Sequence, residues 1–366
     1  MSLSIGIVGL PNVGKSTLFN ALTRKSVPAE NFPFCTIDPS VGVVAVPDER
    51  LSKLSEFSHS AKTVPAAVEF VDIAGLVKGA SEGEGLGNQF LSHIREVDAI
   101  AQIVRIFEDS NIIHVSGGID PFFDIETINL ELTIADLQTV TKRRGTIDKD
   151  VKRGDKNAIV ESEILNKLQP LLKEGKLASS LIIPEENKPI LKGLHLLTFK
   201  PIMYVLNKKG GGKNLDETPE DPRWQTLMKF FQDTKSQFVI VDAKVEDELK
   251  EFEGEEKETF RKELGGKDDG VNALIKKGYE LLDLITYFTT GEDETRGWTV
   301  KRNSTAPVAG QAIHTDFKDK FIRADIIFWE TLLSAGSLAS AREKGLLRTE
   351  GKEYIVKDGD VVEFKI

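Results

Sequence analysis

The chain has 366 residues, a length that predicts roughly two or three domains. Hydrophobic residues make up 40% and charged residues 29%, which excludes wholesale disorder and a fibrous repeat. The formal net charge of −10 argues against binding of nucleic acid by bulk charge. The single cysteine excludes an intrachain disulfide. No apolar run has the length of a membrane span and no leader pattern is visible, so we expect a cytoplasmic protein without membrane contact.

The first predicted strand runs into a glycine loop and then a helix. Residues 5–9 are apolar, residues 9–16 read GLPNVGKS, and residues 17–23 are typical of a helix. This G-x-x-x-x-G-K-[ST] pattern predicts a loop whose backbone amides and helix N-terminus hold the phosphates of a nucleotide. We expect Lys15 on the β- and γ-phosphates and Ser16 on Mg²⁺. The predicted nucleotide contacts of this loop are Asn12, Val13, Gly14, Lys15, Ser16 and Thr17.

Two further segments predict groups on the magnesium side of the site. The strand over residues 68–72 ends at Asp72, and Gly75 follows in the D-x-x-G spacing, so Asp72 is expected to hold the metal, through water. Thr36 ends the stretch NFPFCT and could bring a hydroxyl to the metal when a triphosphate is bound. We interpret the adjacent Cys35 as a small buried apolar side chain.

The element that would recognise the base departs from the GTPase pattern. GTPases carry N-K-x-D, whose aspartate accepts hydrogen bonds from guanine, but here a strand over 202–206 leads into Asn207-Lys208-Lys209-Gly210. Without the acid, the guanine donors would be left unpaired, so ATP is at least as well supported as GTP. A later strand over 238–241 leads into Asp242-Ala243-Lys244, which resembles the loop that caps the base.

The catalytic groups are less clearly marked than the phosphate loop. Leu76 stands at the usual position of the catalytic glutamine and cannot orient water, so hydrolysis is expected to be slow or to recruit another group. The glycine-rich segment 79–87 is typical of a second mobile switch. His114, in a glycine-bounded loop, is a candidate for activating water, and a structurally satisfied or solvated histidine is the alternative.

Four motifs resemble those of a known family. They are residues 9–16, GLPNVGKS; 31–36, NFPFCT; 71–96, VDIAGLVKGASEGEGLGNQFLSHIRE; and 314–325, HTDFKDKFIRAD. Together they resemble the Obg-like ATPase family, also called YchF, essentially from end to end. The resemblance implies an α/β P-loop NTPase fold of the G-domain type, an inserted α-helical hairpin and a C-terminal β-grasp (TGS) domain. It also implies ATP hydrolysis in association with ribosomes or translation factors.

The resemblance also assigns roles to individual residues. It places Asn207 against adenine, with help from the Lys208 backbone, and Ala243 in the capping loop. Members carry N-x-x-E at the base element, whereas Gly210 stands at the position of the glutamate here. Their hydrophobic residue at the glutamine position is matched by Leu76, and His114 lies in the segment implicated in water activation.

The predicted domains are residues 1–129 with 196–282 (nucleotide binding), 130–195 (helical hairpin) and 283–366 (TGS). The hairpin consists of a helix from Leu130 and a second helix over 158–172. Its tip, residues 142–156, carries seven basic and three acidic residues, a net charge of +4, which suits either an RNA contact or a solvated helix face. The charged run 246–262 is interpreted as one solvated helix.

The C-terminal module is expected to be a small β-grasp fold. We predict a helix over 272–284, strands over 296–301, 313–317, 354–356 and 361–364, and a helix over 335–345. Its net charge is −2, so a protein partner or a shape-based contact is at least as well supported as RNA. His314 and Asp316 are too few to predict a metal site and are interpreted as structural.

The sequence therefore predicts a magnesium-dependent ATPase that binds ATP in preference to GTP and associates with the ribosome or its subunits. A conventional GTPase is one alternative. A nucleotide-regulated scaffold, in which hydrolysis is incidental, is the other.

Overall fold

The computed structural model describes residues 3–23, 38, 40–73, 86–109, 118–249, 252, 254–264 and 270–366. The first part of the chain alternates short strands and helices: β1 (Ser4–Gly9), α1 (Lys15–Thr23), β2 (Val41–Ala45), α2 (Glu49–Ser58), β3 (Lys62–Val64), β4 (Ala67–Asp72), α3 (Leu86–Glu96), β5 (Ala99–Arg105) and β6 (Phe107–Glu108).

The middle of the chain is mainly helical and then returns to the alternating pattern: α4 (Pro121–Lys152), α5 (Lys156–Lys173), α6 (Lys188–Gly193), β7 (Ile202–Asn207), β8 (Lys213–Asn214), α7 (Pro222–Thr234), β9 (Gln237–Val241), α8 (Ala243–Glu248), α9 (Gly254–Glu263) and α10 (Gly270–Leu281). The C-terminal part contains β10 (Leu284–Thr289), β11 (Glu294–Lys301), α11 (Ala306–Gly310), α12 (Thr315–Asp319), β12 (Arg323–Phe328), α13 (Trp329–Ala335), α14 (Leu338–Glu343), β13 (Arg348–Glu350) and β14 (Asp360–Lys365).

In the first sheet, the predicted nucleotide-binding motifs follow the carboxyl ends of the strands. Its strand order is β2-β4-β1-β5-β7-β9, and all neighbours are parallel except β2 and β4. The strands are rich in apolar residues because helices cover both faces of a parallel sheet. β1, β4, β7 and β9 therefore end side by side, in the place where open α/β sheets bind ligands. This confirms the α/β P-loop fold class.

The helical hairpin begins earlier than predicted. α4 starts at Pro121 rather than Leu130, because the Asp120 carboxylate accepts a hydrogen bond from the Phe123 amide and proline suits the first helical turn. Its first half packs on the nucleotide module through Ile128 and Leu132, and apolar residues of its second half pack with α5. The single long helix α4 thus belongs to both the nucleotide module and the helical hairpin.

The second sheet has the order β13-β12-β14-β10-β11-β3. The predicted helix over 272–284 ends at Leu281, and Leu284 already begins β10, because β10 is a buried strand between β11 and β14. β12, not predicted as a strand, pairs with β13 and β14 and carries both buried and partly or fully exposed residues. The predicted helix over 335–345 is two helices, divided at Gly336, whose φ of 81° ends α13.

Two predicted strands of this module were wrong. Residues 315–319 form α12, and His314 caps it by accepting a hydrogen bond from the Asp316 amide at 3.2 Å, a structural role. Residues 354–356 contribute a single bridge, Thr305 to Ile355, and no strand.

The two sheets are joined by residues from the first part of the chain. β3 pairs in parallel with β11, so residues 62–64 complete the second sheet. The Arg50 guanidinium donates to Asp358 at 2.7 Å and to Asp48 at 2.7 Å, and Asp358 accepts from the Thr286 amide. The predicted domain boundaries stay a prediction, and these contacts tie α2 and β3 to the C-terminal module.

The charged run 246–262 is not one solvated helix. It is divided between α8 and α9, and Glu246 and Arg261 form a buried ion pair at 3.2 Å between them. Within the described ranges, none of the helices is apolar enough over a sufficient length to cross a membrane.

Candidate functional site

The phosphate loop connects β1 to α1 through backbone conformations that most residues avoid. Asn12 has a φ of 63° and Gly14 a φ of 101°. α1 begins at Lys15, and the Leu18 amide donates to the Gly14 carbonyl at 3.0 Å in its first turn. The Lys15 ammonium turns back across the loop and donates to the Leu10 carbonyl at 2.9 Å. Strand, loop and helix thus have the order that the motif predicts.

Lys15, Ser16 and Asp72 come together at the ends of β1 and β4. Burial lowers the pKa of Lys15, and the nearby Asp72 carboxylate opposes this. Burial raises the pKa of Asp72, while Lys15 and a hydrogen bond with Ser16 oppose that shift. Asp72 Oδ1 is buried and has no hydrogen-bond partner in the described part of the chain. The arrangement offers a hydroxyl and an unsatisfied carboxylate oxygen beside an ammonium group.

Asn207 joins the phosphate loop to the capping loop. It is 5% exposed at the end of β7. Its side-chain amide donates to the Val13 carbonyl at 2.8 Å, and its Oδ1 accepts from the Ala243 amide at 3.0 Å. A Cβ at Gly14 would collide with this amide. The structure therefore brings three predicted nucleotide contacts, Val13, Asn207 and Ala243, into one hydrogen-bonded unit.

Gly210 is packed too closely to carry the side chain that the resemblance leads us to expect. A Cβ there would lie 2.7 Å from the Leu264 carbonyl oxygen, 3.0 Å from Asp242 Oδ2 and 3.2 Å from Val245 Cγ2. Contacts below 3.0 Å with backbone force neighbouring atoms to move. This packing therefore leaves no room at residue 210 for the glutamate that the resemblance leads us to expect.

The backbone of Lys208 extends β7 beside β9. Its amide donates to the Val241 carbonyl at 2.9 Å, so this N–H is already paired within the protein. Thr17 lies in the first turn of α1, and Asn12 lies in the turn before it. The other predicted residues, Thr36 and His114, lie outside the described residues, as do Cys35, Leu76 and most of the 79–87 segment.

Sequence reasoning missed an ion pair that holds residues 208–214, the base loop that follows β7, in place. The Lys209 ammonium donates to Asp109 Oδ2 at 2.6 Å, and the Asp109 side chain is 8% exposed. Asn214 accepts from the Lys209 amide and donates to its carbonyl, both at 2.9 Å, and so closes the loop. The buried Arg105 donates to the Asp109 carbonyl at 3.2 Å. The sequence did offer one sign of this ion-pair cluster, because the apolar strand AIAQIVR ends in a charged residue, Arg105, and a buried charge needs partners.

Comparison with known proteins agrees with this geometry. Residues 4–143 match a family model described as a 50S ribosome-binding GTPase. Residues 284–366 match the YchF-GTPase C-terminal model, described as a protein of unknown function. A protein of Bacillus subtilis named ribosome-binding ATPase YchF is 52% identical over 368 residues, covering 100% of this chain and 99% of the relative. The chain belongs to the YchF family.

Further members agree in sequence and in fold. A ribosome-binding ATPase YchF of Escherichia coli O157:H7 is 48% identical over 100% of this chain and 99% of its own length. The solved structure of the YchF GTPase of Schizosaccharomyces pombe is 38% identical, with a TM-score of 0.87 over 100% of this chain and 98% of that chain. These matches confirm the predicted family.

Proposed function

We propose that this member of the YchF family is a magnesium-dependent P-loop ATPase of the cytoplasm that associates with the ribosome. The observation that carries the proposal is the convergence of Lys15, Ser16 and Asp72 at the end of the phosphate loop. The names of the bacterial relatives, ribosome-binding ATPase, support the choice of ATP and of the partner.

The residues beside the phosphate loop fit a magnesium ion. Asp72 Oδ1 is buried without a hydrogen-bond partner among the described residues, and the Ser16 hydroxyl lies beside Asp72. Oxygen-only donors are the ligands that Mg²⁺ prefers, and it commonly binds through one or two protein groups plus phosphates. Ser16 would bind the ion directly, with Asp72 through water and Thr36 as the third group. When bound, the ion would neutralise charge on the β- and γ-phosphates.

The protein's own groups would act mainly by positioning and by charge. The Lys15 ammonium is fixed by the loop and would exchange its bond with the Leu10 carbonyl for one with a phosphate oxygen. A preorganised cation stabilises the charge that develops in phosphoryl transfer. The amides of residues 12–17 would hold the phosphates. His114 is our candidate for orienting the attacking water.

The phosphate-binding claim is tested by binding measurements on two variants. Lys15→Ala removes the ammonium and Ser16→Ala removes the metal hydroxyl, and each is expected to weaken ATP binding by at least about tenfold because charge-assisted bonds are lost. Titration calorimetry with ATP and MgCl₂ measures this directly. Thr226→Ala, on α7 and away from the loop, is the control. Unaltered affinity in both loop variants would end the claim.

Gly210 and Asn207 support the proposed preference for ATP over GTP. Residue 210 supplies no acid, and Asn207 with Ala243 would contact the adenine. Competition of ATP and GTP for the purified protein decides between an ATPase and the conventional GTPase alternative. Weaker binding of ATP than of GTP would overturn the preference.

The contacts within the hairpin tip, residues 142–156, reduce the number of basic residues that could bind the ribosome. Arg143 pairs with Glu161 at 2.5 Å and Arg144 contacts Gln169, so both link α4 to α5. The most exposed cations of the tip are Lys142, Lys149, Lys152, Arg153 and Lys156, although Arg153 also lies 3.5 Å from the Asp150 carboxylate.

A matched pair of double variants tests this contact. Lys152→Gln with Arg153→Gln is expected to weaken ribosome association and to flatten its salt dependence, because fewer counterions are released. Lys173→Gln with Lys176→Gln removes the same charge from two exposed positions, the last residue of α5 and a residue just after that helix. Cosedimentation with ribosomes over a salt series measures both. Equal association of the two variants would move the contact to the C-terminal module.

A further inference from the structure

A stretch of the nucleotide module is built into the C-terminal module. Residues 46–66, the connecting segment, leave the first sheet after β2 and return to it at β4. The Val46 amide donates to the Ala66 carbonyl at 2.8 Å, which holds the two ends of the segment together. Between these ends, α2 and β3 lie against residues of the second sheet. The segment is therefore attached to one module at its ends and to the other along its length.

The apolar side of α2 packs on the C-terminal module. Leu51 is 6% exposed and Leu54 is fully buried, and the other buried members of their cluster all come from the C-terminal module. These members are Phe288, Ile327, Leu332, Ala335, Ala341 and Val361. Because close-packed apolar side chains hold their elements in one arrangement, we expect α2 to move together with the C-terminal module.

Hydrogen bonds attach β3 to the same module. β3 pairs in parallel with β11, and just before β3 the Ala61 amide donates to the Glu292 carbonyl at 2.7 Å. Thr295 of β11 is fully buried, and its hydroxyl lies 2.7 Å from the Ser60 hydroxyl. The connecting segment thus shares a strand ladder and a hydroxyl pair with the second sheet.

The two strands that hold the connecting segment end at the proposed magnesium site. β2 and β4 are antiparallel, and at their end away from the segment the Asp72 amide donates to the Ser40 carbonyl at 2.8 Å. Asp72 lies beside Lys15 and Ser16. β4 has six residues, so roughly 15–20 Å separates its two ends. A ligand at Asp72 therefore acts on one end of a strand pair whose other end carries α2 and β3.

The junction leaves room for the connecting segment to tilt. β2 is an edge strand of the first sheet as described, with β4 as its neighbour. A cleft of about 350 Å³ lies between the start of the segment, α10 and β10, and is lined in part by Pro47, Lys276 and Ile285. Close-packed interiors lack spaces of this size. The segment can therefore change its angle to the first sheet while α2 stays packed on the second.

We infer that the connecting segment transmits the state of the bound nucleotide to the C-terminal module. A triphosphate with Mg²⁺ would restrain the Asp72 end of β4 more than a diphosphate, because the γ-phosphate adds ligands to the ion. With that end restrained, the segment would tilt less and β3 would separate from β11 less often. Coupling is reciprocal, so a partner bound to the C-terminal module would change nucleotide affinity by the same factor. The inference rests on the proposed function for the position of the nucleotide, whereas nucleotide binding does not require it.

Residue-resolved hydrogen exchange of the full chain tests the inference. With MgCl₂ present, the Ala61 and Lys62 amides are expected to exchange about fivefold more slowly with the non-hydrolysable analogue AMP-PNP than with ADP, a typical size for coupling between two sites. The amides of β13, at the opposite edge of the second sheet, should exchange equally with both nucleotides. Protection of the amides of residues 14–18 in the same samples reports that each nucleotide is bound.

Two junction variants and a matched control locate the coupling. Thr295→Val removes the buried hydroxyl, and Ser60→Ala removes its half-buried partner, so each should abolish most of the difference between the two nucleotides. Tyr287→Phe removes a buried hydroxyl from the neighbouring strand β10, where it donates to the Ala309 carbonyl within the C-terminal module, and should keep the difference.

Three results would overturn the inference. They are equal exchange with both nucleotides in the wild type, an equal difference in β13, and a difference that persists in both junction variants. Absence of protection at residues 14–18 would instead show that the nucleotide does not bind there, which would refute the proposed function.

Discussion

Gly210 provides the sharpest test of the packing around the base loop. The resemblance leads us to expect glutamate at this position, and on that ground alone Gly210→Glu would be harmless and would improve ATP selectivity. The structure predicts the opposite, because a Cβ would lie 2.7 Å from the Leu264 carbonyl and 3.0 Å from Asp242 Oδ2. Gly210→Ala isolates the steric cost, and Gly210→Gln adds the length of glutamate without its charge.

The expected loss of stability in the Gly210 variants has a steric part and an electrostatic part. Overpacking a close-packed site costs about 1–3 kcal/mol, which is the loss expected for Gly210→Ala. Two carboxylates about 4 Å apart repel by up to about 4 kcal/mol at an effective dielectric constant of about 20, so Gly210→Glu should lose more than Gly210→Gln. A loss of 1 kcal/mol lowers the melting temperature by roughly 2–4 °C in a domain of about 150–250 residues.

Thermal melting with and without ATP measures these losses. Gly351→Glu is the control, since Gly351 is exposed and a Cβ there would have no neighbour within 4 Å. We expect the order of stability to be wild type, Gly210→Ala, Gly210→Gln, Gly210→Glu, with the Gly351 variant close to wild type. A Gly210→Glu protein that melts with the wild type and binds ATP more selectively would refute the packing argument.

Three further substitutions test the phosphate loop, the base loop and the contacts that join the two sheets. Gly14→Ala should abolish ATP binding in calorimetry, because its φ of 101° and the contact of a Cβ with the base element both oppose a side chain. Lys209→Met removes the ion pair with Asp109 at 2.6 Å and should weaken ATP binding about tenfold, with recovery in Lys209→Arg. Arg50→Met removes the ion pair with Asp358 at 2.7 Å and should destabilise the protein by about 2 kcal/mol in denaturant unfolding.

The substitutions of Lys209 and Arg50 each have a control close by in the chain. Lys213→Met removes an exposed lysine from the base loop and should leave ATP binding unchanged, so equal effects at 209 and 213 would contradict the positioning role. Lys53→Met, on the same helix as Arg50, removes a contact of the ammonium with the Trp329 ring at 5.7 Å and should cost less stability than Arg50→Met. Wild-type affinity in Gly14→Ala, or wild-type stability in Arg50→Met, would show that the corresponding contact is not needed.

The local motifs were sufficient to predict the phosphate side of the site. The order of strand, glycine loop and helix follows from residues 4–23, because the loop geometry depends on neighbours in the chain. Asp72 and Asn207 end buried parallel strands, as their apolar runs indicate, and parallel strands that end at one edge bring such residues together. The hairpin was predicted from helical periodicity in the same way.

Only the tertiary structure decided what surrounds the base element and how the modules join. Gly210 looked like a lost acid, yet its environment comes from Leu264 and Asp242, which lie in other elements. β3 completes the sheet of a module that begins more than two hundred residues later, and no local pattern encodes that pairing. The sequence by itself determined the strand, loop and helix on which we propose that the phosphates bind, because this segment is built from consecutive residues. The packing around Asn207 and Gly210 and the junction of the two sheets depend on distant residues, so they required the fold.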